Sequence, residues 1–304
     1  MYRVKITTVI MVTIFLINYC GDKNLQEFDI TKLGWFDDFG YSRENLFPLY
    51  MSSGSKYPQV EISIGGRKVK LLIDFLFNDI IINERLIKSS EFEAQRIYTK
   101  IFLSKEMMFE EGYLHDVEIF GVNYPLLYIL LLKKSDMKLN SDGIIGKRFF
   151  TDKIVTLDFK NGIIGIKDNV NGMNIQTLQD SGYRIVRFVF DRSAHTELVN
   201  ALKIKGKIRD KEIYLTFSTL FDESLISPEL VNLLTGRIYT KYRFVIDTLT
   251  IDGLILSKED LIVNDKVMDL SYTTEDLIHI CLGCDVLKDK VATISLSDSL
   301  LIIK

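Results

Sequence analysis

The stretch from Gly146 to Lys167, GKRFFTDKIVTLDFKNGIIGIK, returns without a gap as GCDVLKDKVATISLSDSLLIIK from Gly283 to Lys304. Gly146 and Gly283, Asp152 and Asp289, Lys153 and Lys290, Thr156 and Thr293, Ile166 and Ile303, and Lys167 and Lys304 are identical. Apolar positions such as Leu157/Ile294 and Ile164/Leu301 keep their character. Upstream, VEISIGGRKVKLLIDFLFNDIIINERL from Val60 lies over IKGKIRDKEIYLTFSTLFDESLISPEL from Ile204. Leu71/Leu215, Leu76/Leu220, Phe77/Phe221, Ile82/Ile226 and Leu86/Leu230 match. The two blocks are offset by different amounts, so the first copy carries an insertion between them. Two colinear blocks in the same order indicate an internal duplication, and a duplication of this length predicts two similar lobes.

Each copy reads as short strands separated by turns. Val60–Ile64, Gly65-Gly66 and Val69–Ile73 form one hairpin pattern, and Ile204–Ile208, Arg209-Asp210 and Ile213–Phe217 form its counterpart, with turn residues where hairpins need them. Short helical pieces are expected at Asn83–Lys88 and Ser227–Leu234, the latter opened by a Ser227 cap and Pro228 at the first helical position. Further hairpins centre on Gly121 and Gly253. The Asn-, Asp- and Gly-rich stretch from Asp168 to Gly182 is the natural lobe boundary.

Composition excludes some classes of function. Apolar residues make up 47% and charged residues 26%, with 19 Phe and 14 Tyr, which is the make-up of a chain with a packed core rather than a disordered one. The formal charge of −3 has the wrong sign for binding a phosphate backbone, so nucleic acid is not an expected partner.

The amino terminus is set apart from the fold. Arg3 and Lys5 precede an uncharged run, Ile6–Ile17, too short for a bilayer-spanning helix of about 20 residues but proportioned like the apolar region of a signal peptide. The following LINYCG resembles the lipobox of bacterial lipoproteins, with Tyr19 in place of the usual small residue. The resemblance implies cleavage after residue 19, lipidation of Cys20 and a membrane-anchored protein of the bacterial cell envelope. The expected organisation is a signal peptide over 1–19, a tether or strap over 20–43, a first lobe over 44–170 and a second over 171–304.

Within each lobe a hairpin leads into an apolar strand that in the first copy ends in Asp74. An apolar-apolar-Gly element follows, and then a strand of the type VTLDFKNGIIGI. This arrangement, met twice, resembles the bilobal aspartic peptidases of the retropepsin and pepsin type over roughly residues 44–304. The fold class it implies is all-β, with two pseudo-symmetric lobes and short helices. Leu71–Ile82 falls where that family has apolar residues followed by Asp-Thr-Gly. Ile144-Ile145-Gly146 and Cys281-Leu282-Gly283 fall on its partner-loop glycines.

The departures bear on function. In the family one aspartate from each lobe shares a proton and activates water, because two carboxylates so close cannot both ionise. Here Asp74 stands alone, since the repeat puts Ser218 at the second position, and a hydroxyl cannot replace a carboxylate as an acid/base partner near neutral pH. The family threonine is Phe75 in one loop and Thr219 in the other, so only half of the hydrogen-bonded grip is expected. The family glycine is Leu76 and Leu220, and with Phe77 and Phe221 these side chains crowd the place of substrate and water.

Other candidates read as structural. Asp79 and Asp222 could supply a substitute acid, but loop carboxylates are usually solvated, and Asp247-Thr248 sits in a hairpin. Cys281 and Cys284 form a single Cys-x-x-Cys without a second pair, so no metal is expected. His115, His195 and His279 are isolated, and Lys203, Lys205, Lys207 and Arg209 alternate as on a solvated strand face. No cofactor is expected. The leading expectation is a non-catalytic protein that binds an extended peptide or protein in the cleft between the lobes. The alternatives are a noncanonical peptidase using Asp74 with a substitute acid, and a structural envelope lipoprotein with a filled cleft.

Overall fold

The computed structural model describes residues 30–51, 57–103, 105–135, 141–170, 172–190, 197–270 and 277–304. Contacts divide the chain into Met1–Gly34 and Trp35–Lys304. The described part of the first unit holds one 3-10 turn, Ile30–Lys32. Residues 1–19, where a signal peptide is expected, and Cys20 lie outside the described residues.

In the second unit the first sequence copy supplies β1 (Leu46–Pro48), β2 (Tyr50–Met51), β3 (Pro58–Ile64), β4 (Arg67–Ile73), β5 (Ile81–Asn83), β6 (Phe92–Phe102), β7 (Lys105–Ile119), β8 (Val122–Ser135), β9 (Gly143–Ile145), β10 (Lys153–Asp158) and β11 (Ile163–Asp168). The second supplies β12 (Arg184–Val189), β13 (Lys203–Ile208), β14 (Lys211–Phe217), β15 (Leu225–Ile226), β16 (Arg243–Ile251), β17 (Leu254–Val263), β18 (Ile278–Leu282), β19 (Val291–Ser295) and β20 (Leu300–Ile303). The order β2-β3-β4-β9-β5-β8-β7-β6 makes one sheet, and β1-β11-β10-β19-β20-β12-β13-β14-β18-β15-β17-β16 makes the other.

The duplication is visible in the hydrogen bonds. β4 runs parallel to β9, and β14 runs parallel to β18. Asp74 N donates to Ile145 O at 3.1 Å, and Ser218 N donates to Leu282 O at 3.0 Å. At the centre of the larger sheet, β1-β11-β10 of one copy is mirrored by β12-β20-β19 of the other, and β10 pairs with β19 antiparallel. Thr156 lies opposite Thr293, their hydroxyl oxygens 2.7 Å apart, so the repeat meets itself at a local twofold axis. These strands are apolar on both faces, and Val155, Leu157, Ile164, Ala292, Ile294 and Ile302 are buried. That explains their nearly continuous hydrophobic runs.

A segment ahead of β1 lies over this sheet. The Trp35 indole N–H donates to Asp158 at 2.7 Å, and the Tyr41 hydroxyl lies 2.9 Å from that of Thr156. Gly165 makes room for both rings, since a Cβ there would lie 3.0 Å from each. Burial pushes the Tyr41 phenol well above its ordinary pKa, so it stays a neutral donor.

The hairpin turns fall at Gly65-Gly66, Arg209-Asp210, Gly121 and Gly253, as the sequence pattern predicts. The helical pieces differ in length. Ser227 accepts from Leu230 N and caps a helix over Pro228–Thr235, whereas Asn83 caps only a 3-10 turn, Glu84–Leu86. Ile87 returns to extended backbone there and ends the turn. Replacing Thr293 with Val should cost about 1 kcal/mol, the usual net value of a buried hydrogen bond, measured by urea unfolding. The double change Thr156→Val/Thr293→Val should cost less than twice that amount.

Candidate functional site

β4 ends at Ile73 and β14 at Phe217, and the loops that follow bring Asp74 and Ser218 face to face. The Ser218 hydroxyl donates to Asp74 Oδ2 at 2.7 Å, and Leu220 N donates to the same oxygen at 3.0 Å. Thr219 Oγ1 lies 3.1 Å from it and also donates to the Ile73 carbonyl. Leu76 N donates to Oδ1 at 2.8 Å. One carboxyl group thus gathers donors from both loops. Burial pushes the Asp74 carboxyl above the usual carboxylate range, while the Ser218 hydroxyl and the Leu76 and Leu220 amides pull the other way.

Two glycines permit this approach of the loops. A Cβ on Gly146 would lie 2.4 Å from the Asp79 carbonyl oxygen, and one on Gly283 would lie 2.7 Å from the Glu223 carbonyl carbon. The next residues extend the symmetry, Lys147 N donating to Phe77 O and Cys284 N to Phe221 O, both at 2.9 Å. The threonine grip is one-sided. Thr219 holds the Ile73 carbonyl, whereas Phe75 turns into the core, 5.5 Å from the Phe150 ring and 6.0 Å from that of Phe217.

Apolar side chains close over the pair at these residues. Asp74, Leu76, Phe77 and Thr219 are fully buried, and Ser218 is 1% exposed. Leu76 and Phe77 belong to an apolar cluster with Phe102 and Met107 from the long β6–β7 hairpin and with Ile262, Val267 and Leu270 from the second lobe; Leu220 and Phe221 pack against it. The Phe77 and Phe102 rings are 5.1 Å apart. Leu76, Phe77 and the side chains that meet them fill the space beside the Asp74–Ser218 pair.

The chain also occupies the edge of the first loop itself. Val199 forms an antiparallel bridge with Phe77. Asn200 N donates to Leu76 O at 2.9 Å, and Asn78 N donates to Leu198 O at 3.1 Å. The Asn78 side-chain amide adds a bond to Glu197 O at 2.6 Å. Backbone groups that an incoming strand would need are therefore already engaged.

Lys147 joins the site without having been a candidate in the sequence. It is buried, donates from Nζ to Asn200 O, and lies 5.9 Å from the centroid of the Phe190 ring. Burial pushes its pKa down to about 7, with the Asp74 charge opposing the shift. Its only signal in the sequence is its place directly after Gly146, matched by Cys284 after Gly283.

Neither proposed substitute acid bonds Asp74. Asp79 is ion-paired with Arg148, and the Asp222 backbone is held by Asp285 N, which donates to its carbonyl. Asp247 is exposed on β16. Cys281 and Cys284 are buried and unlinked, and Asp74 adds to the burial that raises the Cys281 thiol. His279 meets Ser227 Oγ at 3.0 Å, His115 sits on β7, and His195 lies outside the described residues. Among the described residues no three His, Cys, Asp or Glu side chains gather as metal ligands.

The fold is that of the aspartic proteinases. An aspartic proteinase from Irpex lacteus superposes with a TM-score of 0.57 at 13% identity, covering 85% of this chain and 96% of that one. Basic 7S globulin from soybean superposes with a TM-score of 0.54 at 11% identity, covering 85% and 94%. No protein-family model and no curated protein sequence matches the chain.

Lys147 predicts a pH dependence. Between about pH 7 and the ordinary lysine value the unfolded chain holds a proton that the folded chain does not. Stability therefore rises with pH across this window, with a slope of up to about 1.4 kcal/mol per pH unit. Urea unfolding at several pH values should show that slope in the native protein and its loss in Lys147→Met.

Proposed function

We infer that this protein is a non-catalytic member of the aspartic-peptidase fold, exported and anchored by a lipid on Cys20, in which the substrate cleft has become part of the core. One observation carries the reading: the Ser218 hydroxyl, not a second carboxylate, donates to Asp74 at 2.7 Å, inside an apolar cluster drawn from both lobes. Peptide hydrolysis by this fold needs two carboxylates sharing a proton over an activated water. Asp74 has no such partner among the described residues, and Leu76 and Phe77 fill the space. Loss of one general acid/base group costs typically ~10²–10⁴ in rate, and exclusion of water removes the nucleophile as well.

The role that fits is structural, that of an envelope protein whose cleft is filled. A peptide-binding role in the cleft would require the Glu197–Asn200 segment and the β6–β7 hairpin to leave first. Export and anchoring rest on Arg3, Lys5, the Ile6–Ile17 run and Cys20.

Purified protein incubated with unfolded casein from pH 3 to 7 should give no cleavage above the level of Asp74→Asn. Cleavage that this substitution abolishes would overturn the non-catalytic reading. For the anchor, radiolabelled palmitate fed to a bacterium expressing the full chain should enter the protein and be lost in Cys20→Ala. Equal label in both would refute lipidation there.

A further inference from the structure

Residues 197–202 lead into β13 and lie against the Asp74 loop without forming a strand of their own. Their hold on that loop is short. Val199 makes a single bridge to Phe77, flanked by Asn200 N donating to Leu76 O at 2.9 Å and Asn78 N donating to Leu198 O at 3.1 Å. The Asn78 side-chain amide donates to Glu197 O, and Lys100 of β6 pairs with the Glu197 carboxylate at 3.4 Å. Leu198 and Ala201 enter the apolar cluster. A segment held by so few bonds opens locally, at a lower free energy than unfolding of the whole chain.

Lys147 closes this contact from the other lobe. Its backbone N donates to Phe77 O at 2.9 Å, and its Nζ donates to Asn200 O. The amine's acceptor is thus a main-chain carbonyl of the segment that opens. Lys147 and Asn200 are both 3% exposed, and the centroid of the Phe190 ring lies 5.9 Å from Nζ. The charged groups that act on the amine are Asp74, Asp79 further along the same loop, and Arg148, which is itself ion-paired with Asp79. Glu197, on the segment, is paired with Lys100. Burial outweighs the two carboxylates and sets the Lys147 amine at about 7.

We propose that Lys147 is a proton-operated latch on residues 197–202: its neutral amine is buried while the segment is closed, and opening lets that amine take a proton from water and uncovers the Leu76–Asn78 edge. Burial disfavours the charged form of an amine. Once Asn200 O leaves, water solvates Nζ and the ordinary proton affinity returns. Between about pH 7 and the ordinary lysine value the open state therefore holds a proton that the closed state lacks. The closed form gains as pH rises through this window and loses as pH falls. Below it both states carry the proton and the dependence ends. The groups uncovered, Leu76 O and Asn78 N, are main-chain partners of the kind that an added strand uses. The latch depends neither on catalysis at Asp74 nor on an acyl group at Cys20.

Amide hydrogen exchange of the full chain tests this, followed by NMR at Asn78 and Asn200 and divided by the intrinsic rate at each pH. The opening constant should fall about ninefold from pH 8 to pH 9 and change less than about twofold from pH 6 to pH 7. In Lys147→Met it should be the same at all four pH values. Amides of β10 and β19 should exchange more slowly than these two throughout, which separates local opening from global unfolding. The native protein gives a second reading, since the side-chain carbon next to the Lys147 amine should titrate at about pH 7. Absence of the slope at Asn78 and Asn200, the same slope in Lys147→Met, opening constants equal to those of β10 and β19, or titration of Lys147 at the ordinary lysine value would each overturn the proposal.

Discussion

The buried Asp74 carboxyl group holds the two loops together. A carboxylate out of water must be served by several donors, and here they come from Ser218 and Leu220 of the second loop and Leu76 of its own, while Thr219 beside them holds the Ile73 carbonyl. The arrangement works only because Gly146 and Gly283 let the partner strands press against the loops. Ser218 has one hydroxyl proton and gives it to Asp74. The Ser218–Asp74 hydrogen bond is a direct link between the two lobes.

Apolar residues surround this link. Leu76 and Phe77 would be intolerable beside a substrate but suit a core, where they meet the β6–β7 hairpin and the second lobe. A hairpin that would otherwise stand over an open cleft is thereby pinned at Phe102 and Met107, both buried. The Val199–Phe77 bridge and Lys147 add main-chain and side-chain ties across the same boundary. Removing any of these large side chains would leave a cavity worth several kcal/mol, so the filled space contributes to stability in the way any core does.

Much of this was legible in the sequence, and for a definite reason. Duplication writes the pairing twice: Thr156 and Thr293, aligned by the repeat, are the residues that meet at the axis, and matching Asp74 to Ser218 foretold the mismatched pair. Local signals also carried the hairpin turns and the Ser227 cap. What escaped were contacts between stretches with no repeat relation. Nothing near Trp35 or Tyr41 announces that they reach Asp158 and Thr156, and nothing in Leu198–Asn200 announces its pairing with Leu76–Asn78. The bulk of Leu76 and Phe77 could be read from the sequence, but not that Phe102, Met107 and Leu270 come to meet them.

The account rests on the solitary ionisation of Asp74, and site-resolved NMR of its side-chain carboxyl carbon across an acid titration tests that most directly. It predicts a single protonation step, displaced above the ordinary aspartate range, with no other carboxyl carbon moving in concert. A two-step curve shared with a second carboxyl group from the carboxy-terminal half would contradict it.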